Sequence, residues 1–177
     1  MTLSRRTALT FLSAAAACAA PGLSLAAPAG RRLSFSHIHT GERLSATYRT
    51  EGGYDAGALS DINHVLRDWR TGEVATIDPA LLDDIYDVQA RLGHGAGIEV
   101  ICGYRSPQTN AVLADAGTGV AKRSLHMQGR AIDITLPGVG TLALRDAALA
   151  LARGGVGTYT SSGFVHLDTG RVRRWGG

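Results

Sequence analysis

The chain has 177 residues, of which 45% are hydrophobic and 19% are charged, and this is the size of one globular domain with a short extension. A mean hydropathy of +0.03 excludes a polytopic membrane protein, and the hydrophobic content excludes wholesale disorder. The net charge of +3, from 18 basic and 15 acidic side chains, is too small an excess to indicate nucleic-acid binding.

The first 29 residues have the pattern of an export signal. Arg5 and Arg6 precede an apolar run over residues 8–20, and small residues continue to Ala29. This order is typical of a secretory signal, and the paired arginines favour the twin-arginine (Tat) machinery and a periplasmic location. The run is too short to cross about 30 Å of hydrocarbon, so we expect no membrane span after cleavage. Cys18 follows three alanines, but lipoprotein anchoring is disfavoured because the leucine typical of that cleavage site is missing.

Removal of the signal leaves residues 30–177 as one domain, with 16 basic and 15 acidic side chains. Such a length can bury a hydrophobic core without disulfides. Cys102 is then the lone cysteine of the sequence, so no intrachain disulfide can form. Because Cys102 follows the apolar residues Val100 and Ile101, we expect it to pack in the core.

The mature sequence contains both strand-like and helix-like segments. Residues 33–48 are predicted to form either a hairpin or a strand with an extended arm. Apolar residues at helical spacing predict helices over residues 59–69, 78–92, 108–116 and 142–152. Short strands are predicted over residues 98–102, 130–136 and 164–168. Helices combined with strands that are polar on one face indicate a compact α+β domain.

Several polar side chains are predicted to meet on one face of this sheet. Asp133 projects from its strand opposite the neighbouring isoleucines, and His166 and Asp168 share one face of the last strand. If the two strands pair, Asp133 and His166 can lie about 5 Å apart. His126 precedes Asp133 by seven residues, and a turn at Gly129 lets the chain bring it to the same point.

Two imidazoles and one carboxylate form a ligand set suited to zinc, with a fourth tetrahedral position open for water. Zinc in such a site lowers the pKa of its water toward about 7 and polarises a carbonyl group. The alternative is that the three residues are unrelated surface side chains. The remaining histidines are expected to be solvated or hydrogen-bonded rather than ligands; they are His37, His39, His64 and His94.

Three segments carry a family resemblance. SLHMQGRAID at residues 124–133 resembles the S-x-H-x-x-G-x-A-x-D pattern of the D-Ala-D-Ala metallopeptidases, whose fold is shared with lysostaphin-type peptidases and the hedgehog signalling domain. ICGYRSP at residues 101–107 is similar to the SGYRS turn of that family, and FVHLDTG at residues 164–170 to the segment with its last ligand. The likeness runs in order through residues 33–175 and points to the YcbK-like branch, murein endopeptidase K. It implies a single compact domain with a central, mainly antiparallel sheet flanked by helices.

The resemblance also implies roles for individual residues. The zinc ligands of the family fall on His126, Asp133 and His166, and the arginine that steadies the scissile carbonyl falls on Arg105. A fixed guanidinium suits that role because it stabilises developing negative charge. The alternative is that Arg105 only pairs with an acid. Ser124 is expected either to orient the metal site or to end its loop.

The sequence departs from the family where a general base is expected. Many D-Ala-D-Ala enzymes carry a glutamate three residues before the last zinc histidine, and here that position is Gly163. The nearest carboxylate is Asp168, which is predicted to be either a base or a group that orients His166. Without such a carboxylate, the mechanism would need assistance from the substrate or a neutral histidine.

The expected function is therefore a zinc-dependent endopeptidase that hydrolyses peptide cross-links in peptidoglycan. Basic residues beside the metal loop, Lys122, Arg123 and Arg130, are expected to bind the carboxylates of the stem peptides. One alternative is a D,D-carboxypeptidase that trims stem peptides. Another is a non-catalytic, zinc-containing module that binds the cell wall, for which the missing glutamate is the best support.

Overall fold

An eight-stranded sheet lies at the centre of the computed structural model, which describes residues 30–117 and 119–177. Its strands are β1 Gly30–His37, β2 Arg43–Thr50, β3 Gly53–Tyr54, β4 Ile98–Cys102, β5 Ala131–Thr135, β6 Gly155–Tyr159, β7 Phe164–Asp168 and β8 Arg173–Gly176. They lie in the order β3-β2-β1-β4-β5-β7-β6-β8. Within this described sheet the β1–β4 and β6–β8 pairs are parallel and the other pairs antiparallel. The predicted α+β class with a mainly antiparallel sheet is confirmed.

The helices of the described residues are α1 Ala56–Val65, α2 Pro79–Arg91, α3 Pro107–Asp115 and α4 Thr141–Leu149. α2 begins as its sequence predicts: the Asp78 side chain accepts a hydrogen bond from the Ala80 N–H, and Pro79 occupies a first-turn position, where a missing N–H costs no helical hydrogen bond. The apolar side chains of α2 recur at helical spacing and are buried; they are Leu81, Leu82, Ile85 and Val88. Against them pack fully buried residues of the sheet, among them Leu33, Ile98, Ile132 and Ile134. Each such side chain stabilises the fold by about 1.5–3 kcal/mol.

Strand register places the polar residues of three neighbouring strands side by side. β5 pairs with β7 so that Asp133 lies opposite His166, which confirms the juxtaposition predicted from the alternation of these strands. β4 pairs with β5 on the other side, and an irregularity between Val100 and Cys102 brings Cys102 opposite Asp133. A bulge of this kind shifts which face a side chain occupies. Cys102, Asp133 and His166 therefore form a row across the middle of the sheet.

Three strands, β3, β6 and β8, lie outside the predicted elements, and α1 ends earlier than predicted. Gly154 and Gly155 follow the predicted helix over residues 142–152, where a glycine pair is typical of a helix stop, yet β6 begins at Gly155. A Cβ at either glycine would overlap Asp168 on β7, so the glycines mark close approach between strands. α1 ends at Val65 instead of residue 69, because Asp68 leaves the helical path to accept hydrogen bonds from Ser106.

The predicted signal peptide over residues 1–29, including Cys18, lies outside the described residues. β1 begins directly after it, and Gly30 is paired with Thr50 of β2. Over residues 30–117 and 119–177, no helix is both long enough and apolar enough to cross a membrane.

Candidate metal centre

His126 is held by a short 3-10 turn over Leu125–Gln128. The turn begins at Ser124, whose hydroxyl accepts a hydrogen bond from the His126 N–H at 3.3 Å, and ends at Gly129, which has a φ of +65°. A Cβ at Gly129 would overlap the carbonyl oxygen of Thr76, and this φ also favours glycine. The predicted turn at Gly129 is therefore required for His126 to reach the sheet.

The structure brings the three predicted ligands together in one buried cluster. The Nδ1 atom of His166 lies 2.8 Å from Oδ1 of Asp133, and Nε2 of His126 lies 3.3 Å from the same oxygen. The two imidazole nitrogens are 3.2 Å apart. A tetrahedral zinc ion with nitrogen and oxygen ligands at 2.0–2.1 Å spaces those atoms by about 3.3 Å. The size of this triangle therefore suits zinc.

Each histidine has an outer ring nitrogen, which faces away from Asp133, and an inner one, which faces it. The hydrogen bonds of the outer nitrogens fix the tautomers of both rings. His126 Nδ1 lies 2.7 Å from the Gly103 carbonyl oxygen, and His166 Nε2 lies 3.1 Å from Oδ2 of Asp168. Both oxygens can only accept, so these nitrogens carry the hydrogen. In neutral imidazoles the inner nitrogens then present lone pairs to Asp133. Three acceptors this close repel one another unless a cation lies between them, and this chemistry fits a metal ion.

The charge balance of the cluster favours a cation for the same reason. Burial acts to lower the pKa of His126, but the charges of Asp133 and Cys102 outweigh it and hold that pKa well above its usual range. Burial likewise acts to raise the pKa of Asp133, but His126 and His166 lower it overall. The cluster therefore attracts positive charge, as a proton or as a metal ion.

Asp168 lies behind His166, and its side chain is fully buried. Its carboxylate accepts hydrogen bonds from the N–H groups of Gly155 and Gly170 and two from the guanidinium of Arg173. Burial acts to raise the pKa of Asp168, but the hydrogen bonds from His166 and Arg173 lower it overall. Asp168 is therefore a fixed anion that faces the outer nitrogen of His166.

Arg105 lies beside the cluster, as its predicted role requires. Its Nη2 is 3.9 Å from Oδ2 of Asp133 and 3.3 Å from Sγ of Cys102, and its Nη1 is 3.5 Å from Oδ1 of Asn110. The Arg105 N–H also donates to the His126 carbonyl. The 3.9 Å separation from Asp133 is long for an ion pair, so the guanidinium remains available to a substrate that enters the site.

The turn that carries Arg105 is anchored by Asp68, which sequence reasoning missed. Oδ2 of Asp68 accepts hydrogen bonds from the N–H and the hydroxyl of Ser106, at 2.9 and 2.7 Å. Burial acts to raise the pKa of Asp68, but hydrogen bonds from Thr109 and Ser106 outweigh it and lower the pKa to about 2. Asp68 and Ser106 are 38 residues apart, so no local pattern could have revealed their contact.

The cluster of His126, Asp133 and His166 lines a cavity of about 510 Å³. The lining also contains aromatic side chains, which are Tyr159, Phe164 and Trp175. The Tyr159 and Phe164 rings stack with centroids 4.5 Å apart, and the Trp175 ring lies 5.2 Å from that of His166. The cavity thus combines polar and aromatic side chains in its lining, which suits an organic substrate.

Of the three basic residues expected to bind substrate carboxylates, only Arg123 lines this cavity in the described part of the chain. Lys122 is exposed but is not part of the lining. Arg130 is bound by Thr169 through a 3.0 Å hydrogen bond and lies 3.8 Å from Asp78. The expectation for Arg130 is therefore wrong, because its guanidinium is engaged outside the cavity.

Comparison with known proteins agrees with this geometry. Residues 25–175 match the model of the family described as peptidoglycan L,D-endopeptidase MepK. A probable peptidoglycan L,D-endopeptidase MepK of Haemophilus influenzae is 44% identical over 151 residues, which cover 85% of this chain and 81% of that protein. The peptidoglycan L,D-endopeptidase MepK of Escherichia coli K12 is 41% identical over 152 residues, 86% of this chain and 84% of that protein. No solved structure gives a significant match. The predicted metallopeptidase class is thereby confirmed, and the chain belongs to the peptidoglycan L,D-endopeptidase MepK family.

Proposed function

We propose that this chain is a zinc-dependent peptidoglycan endopeptidase that hydrolyses peptide cross-links of the bacterial cell wall, with L,D cross-links as substrates. The observation that carries the proposal is the convergence of two imidazole lone pairs on one buried carboxylate, at the edge of a cavity large enough for a peptide. Its relatives are named as L,D-endopeptidases, and these names support L,D cross-links as the bonds that are hydrolysed.

His126 Nε2, Asp133 Oδ1 and His166 Nδ1 would hold the zinc. When bound there, zinc supplies a Lewis acid that polarises a carbonyl group and acidifies a water molecule. The Gly103 carbonyl and Asp168 hold the two imidazoles in the tautomers that leave their inner nitrogens free. Orienting groups of this kind raise the basicity of a ligand and fix its direction.

Arg105 would stabilise the negative charge that develops on the carbonyl oxygen of the scissile bond. It stands beside the ligands and is itself mostly buried. A guanidinium fixed in a water-poor site needs no reorganisation when charge appears, which makes such groups effective in the transition state. Asp68 keeps it there by fixing the backbone of the next residue, Ser106.

Two roles were expected for Asp168, and its contacts support the orienting one. Its side chain is fully buried and is not part of the cavity lining, so it has no path to a water molecule in the cavity. Among the described lining residues Asp133 is the one carboxylate. The proton released from water would therefore pass to a group on the substrate.

The proposal includes export. A cell-wall substrate requires a location outside the cytoplasm, and the twin arginines at residues 5–6 support the Tat machinery, a signal peptide over residues 1–29 and a periplasmic enzyme. An enzyme of this kind would have stem peptides and cross-links as its partners.

The test is digestion of purified sacculi by the zinc-loaded full chain, with the released muropeptides separated and identified by mass spectrometry. We expect L,D-linked dimers to fall and monomers to rise, with loss of the effect in His166→Ala and no loss in the control His64→Ala, which alters an exposed histidine. Intact dimers with shortened stems would indicate a carboxypeptidase. Binding to sacculi without new peptide termini would indicate a binding module. Either result would overturn the proposal.

A further inference from the structure

Cys102 faces the candidate metal centre instead of packing only in the core. It is the last residue of β4, and the irregularity after Val100 sets it opposite Asp133. The next residue, Gly103, supplies the carbonyl that orients His126. The thiol is buried, as expected from the sequence, but its neighbours are the polar groups of the site.

The thiol is close enough to share a cation with two of the proposed zinc ligands. Cys102, His126 and Asp133 each offer one ligand atom, and the three atoms lie within 4.8 Å of one another. The Cys102 sulfur also lies 3.3 Å from Nη2 of Arg105. Two ligand sets therefore overlap in one pocket, and they share His126 and Asp133.

The two sets differ in chemical preference. Imidazoles with a carboxylate form an open catalytic set, whereas cysteine thiolates are typical of closed structural zinc sites. Thiolate is a soft ligand that selects zinc and other thiophilic cations over hard ones such as magnesium. The serine usual at this position in the resembling family offers only a hydroxyl, so the thiol changes what this particular chain can bind.

We propose that Cys102 is an additional ligand of the metal centre and coordinates thiophilic divalent cations such as zinc, cobalt and cadmium together with His126 and Asp133. Binding exchanges the thiol proton for the cation: the S–H bond breaks, a sulfur–metal bond forms and the proton goes to solvent, with no change of oxidation state. The inference rests on the metal centre of the proposed function and adds a thiolate-bound state to it.

The test uses the metal-free full chain in a Cys18→Ser background, so that Cys102 is the one thiol, and titrates it with cobalt. The visible ligand-field bands report whether the centre binds metal. The near-ultraviolet charge-transfer band reports a sulfur–cobalt bond. We expect both in the Cys18→Ser protein, and the visible bands alone in the matched protein that also carries Cys102→Ser, which keeps a hydrogen-bond acceptor for Arg105.

Cadmium affinity gives a second readout that does not depend on activity. Loss of a group that only orients a ligand lowers metal affinity by about 10–100-fold. We therefore expect Cys102→Ser to weaken cadmium binding at least tenfold. Cobalt binding should weaken less than cadmium binding. Visible bands without the charge-transfer band would overturn the inference and leave the metal centre in place. No cobalt binding at all would overturn both. Circular dichroism confirms that each variant is folded.

Discussion

Oδ2 of Asp168 lies 3.1 Å from Nε2 of His166, on the opposite side of the imidazole from the nitrogen that faces Asp133. In the proposed metal centre the carboxylate would act through the ring that it orients. This arrangement separates the two roles expected for Asp168, because a base must reach a water molecule in the cavity, whereas an orienting group must only hold the ligand.

Asp168→Asn is expected to weaken zinc binding by about 10–100-fold, because a neutral amide no longer fixes the tautomer of His166. The affinity is measured by competition with a chromophoric chelator, and activity is then measured at saturating zinc. Recovery of most of the activity at saturating zinc fits the orienting role. Unchanged zinc affinity with lost activity would instead make Asp168 the base.

Arg105→Lys and Arg105→Ala are expected to lower kcat by about 10²–10³-fold, the usual effect of removing a group that stabilises an oxyanion. Lysine keeps the charge but loses the planar fork of donors, so it should rescue little. Zinc content should stay at the wild-type level because Arg105 is not a proposed ligand. A wild-type kcat in Arg105→Ala would show that Arg105 does not stabilise the transition state and only pairs with Asp133.

The pairing of Asp133 with His166 was predictable because strand periodicity fixes which side chains share a face. Asp133 and His166 come from strands with clear alternation, and Gly129 signalled the turn that returns His126 to them. β6 and the placement of Cys102 were not predictable, because a glycine pair reads equally as a helix stop or a close strand contact and a bulge leaves no local signature. The role of Asp68 also escaped prediction, since its partner Ser106 is distant in sequence.

Asp68 is expected to stabilise the fold in a pH-dependent way. Its pKa of about 2 in the folded state, against 3.8 for a free aspartate side chain, corresponds to about 2 kcal/mol at neutral pH. A lowered pKa means that this stabilisation is present above pH 3.8 and is lost as the pH falls through 2. Asp68→Asn should therefore lower the free energy of unfolding at pH 7 by about 2 kcal/mol, while the two proteins converge near pH 2.

Urea denaturation at pH 7, 4 and 2 checks this prediction, with Asp61→Asn as a control because Asp61 is exposed on α1. Equal loss of stability at all three pH values would show that the effect of Asp68→Asn is steric. The variant should also lose kcat, since the turn that carries Arg105 is no longer anchored.

Gly157 leaves room for an aromatic side chain of the cavity lining. A Cβ at this position would lie 2.6 Å from the Trp175 ring, so Gly157→Ala must displace the indole. Overpacking of this kind costs about 1–3 kcal/mol of stability. We expect a higher KM with zinc binding unchanged, and a shift in tryptophan fluorescence. Gly95→Ala is the control because a Cβ there meets open space. An equal rise of KM in the control would show that the indole of Trp175 takes no part in substrate binding.

Arg123 and Lys122 form a matched pair for testing how the enzyme recognises its substrate. Both are exposed cations on the same loop, but only Arg123 lines the cavity in the described residues. Arg123→Ala should raise KM by up to about fivefold, since an exposed ion pair contributes up to about 1 kcal/mol, and the difference from wild type should shrink at high salt. Lys122→Ala should leave KM near the wild-type value at every salt concentration. Equal effects of the two substitutions would mean that general surface charge attracts the peptidoglycan and that Arg123 makes no specific contact with a stem-peptide carboxylate.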